Sequence, residues 1–514
     1  MWKTALRQYR LHPTSLAAFL ESNCVAVKAP TAALHNGSNL VVAETNSFSI
    51  FENLAAEEAL LRGLSIDKKQ CLLLFYVNHP CVVVGRNQNI FQEVSLRRAA
   101  ADGVCVARRV SGGGAVFHDT GNLCFSFITH RHHYAPEKTI QLVRLGLSAS
   151  YAIDAARLTT TGRHDLFLDG RKITGSAMRV QRDIAYHHCT LLVDTPHASV
   201  GRYLHPEGDY VAFKTSAVGS VRSPVTSLAE SGCTASGPAA VAALKSNMAN
   251  FFLAEGDRVL DATAPWELDA VKLRESFATT RQQCADLPLF ALDVVGAVAA
   301  DMPFIEGEGR RPASGDAATL GEAVRRAASK DWVYDMPTFT STVLLSSSEL
   351  QRRLKAFSAW QYVASLSSLA EEELLAALRM CVFGGSEGLE EVAAAVEGGL
   401  HLVTTVERRC VTSVVVIRAS STAASASSEA PPSGCSGGWV QRYLSALLVG
   451  HPCDAAVEGL ESNGDTTAVV QGLVHEAGPL CPDLPDVARE AALVMLARVL
   501  LDVWRDKNVF DMEP

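Results

Sequence analysis

The sequence predicts an α/β (α+β) protein, in which helices pack on a mixed β-sheet and a smaller α+β domain follows. Three features point to it. Short β-branched or aromatic runs alternate irregularly with helix-periodic segments. Asp169-Gly170, set between DLFL and RKITG, has the chemistry of a type I′ hairpin turn. At 514 residues the chain also exceeds one typical core, so it holds two or three.

The elements follow in order. Ile50, Leu54, Leu61 and Leu64 recur at helical spacing and predict an amphipathic helix carrying Glu57 and Glu58. CLLLFYV (71–77), CVVVG (81–85) and VCVARR (104–109) read as strands, with SLRRAAAD (95–102) as a helix between the last two. NLCFSFI (122–128) alternates as a strand, EKTIQLVRLGLSAS (137–150) is helical, and CTLLVDT (189–195) supplies a further strand. Beyond residue 265 the pattern breaks, and the Gly-, Pro- and charge-rich stretch around 306–315 marks 266–318 as a linker or insertion. Residues 319–514 are predicted to form the smaller domain, with helices at 348–358 and 368–380 and a hairpin of HLVTTV (401–406) with VTSVVVI (411–417). Residues 419–438 are low in complexity and are expected to be a disordered loop, and 485–504 to be a closing amphipathic helix.

Composition narrows the function classes. Forty-six basic and 55 acidic side chains give a net charge of −9, which offers no electrostatic footprint for nucleic acid. No stretch approaches the roughly 18 apolar residues of a membrane span, so no membrane partner is expected. The 13 cysteines are scattered without a C-x-x-C pair and read as reduced thiols rather than a disulfide framework or zinc ribbon. Residues 1–43 contain Lys3, Arg7, Arg10 and Lys28 but one acid, Glu21, among Leu, Ser and Thr. That composition suits a mitochondrial presequence and leader, and hence the matrix.

The densest chemical signal is RRVSGGGAVFHDTGN (108–122). Gly112, Gly113 and Gly114 lack Cβ atoms and tolerate positive φ, so successive N–H groups can converge on an anion. Arg108 and Arg109 add planar guanidinium forks suited to phosphate or carboxylate. The loop is neither a P-loop nor a dinucleotide fingerprint, since G-K-[ST] and G-x-G-x-x-G are both missing. A second patch, DLFLDGRKITGSAMR (165–179), puts Lys172 after the hairpin turn beside small residues that let a ligand approach. In a third, YHHCTLL (186–192), His187 and His188 must face opposite sides of a strand, so at most one faces a site.

Together, RRVSGGGAVFHDTGN, KITGSAMR and AYHHCTLL resemble the lipoate-protein ligase and lipoyltransferase family. NLAAEEALLRG (53–63), VVVGRNQN (82–89), GRHDLFLDG (162–170) and VGSVRSPVTSL (218–228) follow in that family's order over residues 44–265. KDWVYDMPTF (330–339), with the helices and hairpin after it, more weakly resembles the family's accessory domain. The resemblance implies a catalytic domain of the biotin/lipoyl ligase type that activates lipoate with ATP and passes the lipoyl group from lipoyl-AMP to a lysine. The implied acceptors are lipoyl domains of 2-oxoacid dehydrogenase complexes and the glycine cleavage H protein, and the enzyme is expected to be monomeric. It also implies residue roles. Arg109, Gly114, Ala115, Val116 and Phe117 hold the nucleotide, and Lys172 lies between the acid's carboxylate and the α-phosphate as an electrostatic catalyst. Glu57, Arg86, Arg108, Ser111, Gly113, His118, Ala177 and His188 surround lipoate. Asp165 is the candidate ligand of Mg²⁺, while Asp119 and Asn122 hold the loop. Transfer from preformed lipoyl-AMP, a cysteine-thioester amidotransferase using Cys124 or Cys189, and a non-catalytic lipoyl-domain binder are the rival readings.

Overall fold

The computed structural model describes residues 14–15, 40–67, 70–204, 210–260, 289–299, 319–356, 360–375, 400–407 and 410–418, with isolated residues between 444 and 499. The expected loop at 419–438, nearly all of the presequence, most of the 266–318 segment and most of the closing helix lie outside the described residues. Two compact units are present, and neither is a single run of chain. The first comprises residues 1–88, 102–205 and 218–333; the second comprises 89–101, 206–217 and 334–514.

In the first unit, β1 (Leu40–Thr45) leads to α1 (Ile50–Gly63), which Ser49 caps by accepting the Glu52 N–H. Next come β2 (Cys71–Val77), β3 (Cys81–Val84), β4 (Cys105–Arg108), β5 (Val116–His118) and β6 (Asn122–His130). Pro136 opens α2 (Pro136–Tyr151), and Ala152, at φ 54°, closes it. β7 (Leu158–Thr160), β8 (Leu166–Leu168), β9 (Arg171–Lys172), β10 (Thr174–Gln181) and β11 (Ile184–Leu192) follow. The unit ends with α3 (His197–Tyr203), α4 (Pro238–Leu260), β12 (Leu289–Leu292), α5 (Val294–Ala299), α6 (Leu320–Ala328) and α7 (Lys330–Val333).

The main sheet is mixed, in the order β10-β11-β6-β2-β1-β12, with its last two pairings parallel. Strand alternation decides its two faces. Val42, Leu73, Phe75, Phe125 and Phe127 pack on Ile140, Val143 and Leu147 of α2 and on Leu244, Phe251 and Phe252 of α4. Their neighbours Val41, Ala43, Leu72, Leu74 and Ile128 pack on Ala56, Leu60 and Leu61 of α1 and on Leu320 of α6. Two smaller three-stranded sheets complete the unit: β4-β3-β5 and β9-β8-β7. At the β8–β9 turn, Asp169 and Gly170 take φ of 50° and 76°, the left-handed pair that a type I′ turn requires.

The second unit is a four-stranded antiparallel sheet, Tyr210–Thr215, Phe339–Leu345, Leu400–Glu407 and Cys410–Arg418, with helices Ser347–Ala356 and Trp360–Leu366. The 401–417 hairpin is present, and Phe91 packs against Tyr334 and Phe339. The linear boundaries at 265 and 319 do not coincide with this division. Residues 210–215 pair with a strand some 130 positions away, a long-range choice that no local pattern reports. β12 joins the main sheet beside β1 although it lies within the expected linker, and Leu320 of α6 packs in the first core although it lies within the expected second domain.

Candidate functional site

The glycine loop runs from the end of β4 to the start of β5 and crosses the end of β3. The approach is close: a Cβ on Gly85 would lie 2.2 Å from the Gly113 carbonyl oxygen. Gly113 sits at φ 89°, and a Cβ there would meet the Arg109 guanidinium at 2.9 Å. Both arginines hold backbone. Arg108, 1% exposed, donates to the carbonyls of Val333, Gly85, Arg86 and Gln88. Arg109 donates through Nη2 to Gly112 and Gly114 at 2.7 Å each, through Nη1 to Val83, and through Nε to the Ser111 hydroxyl at 3.1 Å. Burial lowers the Arg109 pKa to about 10, so the guanidinium stays charged at neutral pH.

From Arg109 a buried relay runs across the sheet to α1. The Ser111 hydroxyl meets His188 Nε2 at 2.8 Å, and His188 Nδ1 meets the Glu57 carboxylate at 3.0 Å. Tyr76 Oη (3.0 Å) and Ser126 Oγ also donate to Glu57. Burial alone would raise the Glu57 pKa, but His188 and the hydroxyl donors hold it below the ordinary carboxylate value. Beside this relay, Asn53 donates to Asn78, and Asn78 Nδ2 donates to His118 Nδ1 at 3.0 Å. Burial, with Arg109 and His188 nearby, pushes the His118 pKa down to about 3, so its imidazole is neutral. His187, on the opposite face of β11, contacts Thr139 of α2 and Cys189 instead.

On the other side, Lys172 Nζ lies 2.7 Å from Asp165 Oδ2, while Asp165 Oδ1 accepts the Ser176 N–H at 3.0 Å. The Lys172 backbone is tied to the 224–226 segment: its N–H donates to Pro224 and its carbonyl accepts from Thr226. A few residues earlier, the Ser220 hydroxyl accepts the Ala115 N–H at 2.9 Å and the Gln88 side-chain amide at 3.0 Å.

These groups border an open cleft. Of the sequence-selected residues, Arg109, Gly114, Ala115, Val116, His118, Asp165, Lys172, Ala177 and His188 line it. Glu57 and Ser111 stand one contact behind, through His188. Gly113 shapes the loop from behind, and Phe117 is buried in a stack on Tyr203 at 5.0 Å between centroids. Arg108 donates to backbone carbonyls and Arg86 lies over the Trp332 ring at 4.9 Å, so neither borders the cleft; Val110 packs into the α1-side core. Asp119 accepts from Gly121 and Thr195 and Asn122 donates to Cys124, contacts that brace the loop's end. Sequence reasoning missed Tyr76, Arg163, Thr190 and Ser220 as lining residues. Tyr76 shares the face of Leu72 and Leu74, whereas Arg163 and Ser220 belong to recognisable motifs but carry no local sign of their aim.

Asp165 is the only carboxylate among the lining residues, and both its oxygens are already hydrogen-bonded. No cluster of three metal-ligating side chains occurs among the described residues. Among the described residues, the protein groups therefore do not build a magnesium site by themselves.

A mixed sheet flanked by helices, with a glycine loop held by a buried guanidinium and facing a lysine, defines an α+β domain equipped for anionic ligands. Comparison makes the class specific. Residues 49–249 match the model of the lipoyl protein ligase A/B catalytic domain, to which this segment is similar. Over 191 residues the chain is 38% identical to lipoate-protein ligase A of Blochmanniella pennsylvanica, an alignment spanning 36% of this chain and 54% of the relative, about half its length. Among solved structures, P. falciparum LipL1 in complex with lipoate aligns over 59% of this chain and 80% of its own, at 20% identity and TM-score 0.41. The bipartite lipoate protein ligase of Thermoplasma acidophilum aligns over 47% and 91%, at 19% identity and TM-score 0.35.

Proposed function

We propose that this chain is a lipoate-protein ligase, which activates lipoate with ATP to lipoyl-AMP and transfers the lipoyl group to a lysine of a lipoyl domain. The observation that carries this reading is Lys172, whose ammonium borders the same cleft as the arginine-held Gly114–Val116 loop. Leu54, Val83, Val116 and Ala177 give the cleft an apolar wall for an aliphatic chain, and neutral His118 adds no competing charge.

In this mechanism Lys172 neutralises the mutual repulsion of the acid's carboxylate and the α-phosphate as the carboxylate oxygen attacks phosphorus and pyrophosphate departs. Asp165 positions Lys172 beforehand and remains beside it. In the second step the acceptor amine attacks the acyl carbon, and AMP leaves while Lys172 stabilises the oxyanion. Arg163, exposed at the cleft's edge, adds positive charge for the polyphosphate. Mg²⁺ would arrive with the nucleotide and neutralise its phosphates, coordinated mainly by phosphate and water oxygens. A thioester route is disfavoured: burial pushes the Cys189 thiol up to about 12 and Cys124 well above its ordinary value, leaving neither ionised near neutral pH.

The acceptors we propose are lipoyl domains of 2-oxoacid dehydrogenase complexes and the glycine cleavage H protein. The basic, acid-poor composition of residues 1–43 supports import into the mitochondrial matrix, which a reporter fused to those residues tests. The central experiment is incubation of the purified chain with ATP, Mg²⁺, lipoate and a lipoyl domain, read by intact mass. A gain of one lipoyl group on the acceptor is the expected result. Gain only from supplied lipoyl-AMP would reduce the activity to transfer, and no gain from either would overturn the reading.

A further inference from the structure

Cys81 and Cys105 are register partners on the adjacent parallel strands β3 and β4, so their side chains leave the sheet on the same face. Both are free thiols, neighbours across the strand pair. Cys81 is fully buried and Cys105 is half-buried. The contact with Cys81 holds the Cys105 thiol below its ordinary value, while burial pushes Cys81 well above it. The pair therefore combines an accessible thiol that ionises more readily with a sheltered partner poised next to it.

We propose that Cys81 and Cys105 form a modification site, a dithiol that a small disulfide of the oxidised-glutathione class converts to a reversible cross-strand disulfide. The Cys105 thiolate attacks one sulfur of the small disulfide, whose S–S bond breaks and releases one thiol. Cys81 then attacks the Cys105 sulfur and expels the second thiol. Two cysteine thiols are oxidised, one disulfide is reduced, and the two protons leave on the released thiols.

The bond would act on the cleft. Neighbouring strands lie about 4.8 Å apart, within the range of about 4.4–6.8 Å that Cα atoms span across a disulfide. Closure therefore needs no change in strand spacing, but it fixes the torsions of both side chains and repacks the face they share. β3 ends one residue before Gly85, which lies against the Gly113 carbonyl, and β4 ends at the arginines that hold the loop. The thiols also pack in the apolar cluster that supplies Leu54, Val83 and Val116 to the cleft wall.

The test exposes the full-length native chain to oxidised glutathione, blocks the remaining thiols and maps the peptides. The expected product is a peptide joining Cys81 to Cys105 that dithiothreitol separates, and Cys81→Ser should trap one glutathione on Cys105. Recovery of both cysteines as free, blocked thiols, or joined to other partners, overturns the site. Should Cys81→Ser fail to fold, the map of the parent protein remains decisive. The effect on activity rests on the proposed function: lipoyl transfer should fall several-fold in the bridged protein, as Val83 and Val116 beside the pair repack, and recover on reduction. Unchanged transfer by a bridged protein overturns the coupling to the cleft. Absence of transfer by the reduced protein instead counts against the ligase reading, and the peptide map still judges the disulfide.

Discussion

The two banks of the cleft differ in how completely their polar groups are committed. On the α1 bank, Arg109, Ser111, His188, Glu57, Tyr76 and Ser126 form one buried, continuous network. On the hairpin bank, Lys172 holds a single carboxylate while partly open to solvent, and Arg163 stands exposed. A closed network cannot answer a ligand without leaving a buried charge unpaired, so its work is to hold geometry. Under the proposed function, the charges that would respond to substrate are therefore those of the hairpin bank.

That contrast is open to experiment. Lys172→Ala should lower adenylate formation by roughly 10² to 10³ with little change in melting temperature, as loss of one preorganised donor does. Pyrophosphate exchange within a few-fold of the parent would remove Lys172 from the chemistry. Glu57→Ala should do the reverse and cost about 3–5 kcal/mol of stability, because it orphans His188 and two hydroxyls in the core. Denaturant midpoints would measure this, and an unchanged midpoint would deny the network its structural role.

Buried groups on both faces of the main sheet should set the acid limb of stability, Glu57 and His118 on the α1 side and His187 on the α2 side. The Glu57 pKa is depressed on folding, so its contribution is present above the ordinary value of 4.5 and is lost as pH falls through its lower folded value. His118 and His187 drop from 6.5 to about 3, so below pH 6.5 the unfolded chain binds protons that the folded chain refuses. Stability should decline from pH 6.5 toward pH 3, and replacing either histidine with Gln should flatten the slope. A slope unchanged in both variants would contradict these environments.

Smaller effects are expected in the loop. Gly113→Val forces a branched residue to positive φ against Arg109, a strain of about 1–3 kcal/mol, and should abolish ATP-induced thermal stabilisation while the fold persists. Intact ATP-induced stabilisation would exclude the loop from nucleotide binding. Ser220→Ala removes the acceptor of the Ala115 N–H, a change of about 1 kcal/mol, and should shift the nucleotide KM by less than about tenfold.

The features legible in the amino-acid order are local ones. Strand runs such as CLLLFYV, the capped helix after Ser49 and the Asp169-Gly170 turn follow from periodicity, capping and φ preference, all of which act over a few residues. The glycine loop and the position of Lys172 just after the hairpin turn are legible for the same reason, whereas the role proposed for Lys172 came from the family resemblance. Direction and partnership came only with the folded chain. Arg108 reads like an anion ligand, yet it is spent on carbonyls that come together only when the ends of β3 and α7 meet it. Arg109 likewise braces the loop from within, and Asp165, read as a metal ligand, is the partner of Lys172. Residues 210–215 leave their neighbours in the chain for a distant sheet. Hydrogen bonds between residues far apart in sequence depend on where the chain returns, and one-dimensional patterns of charge and hydrophobicity do not carry that information.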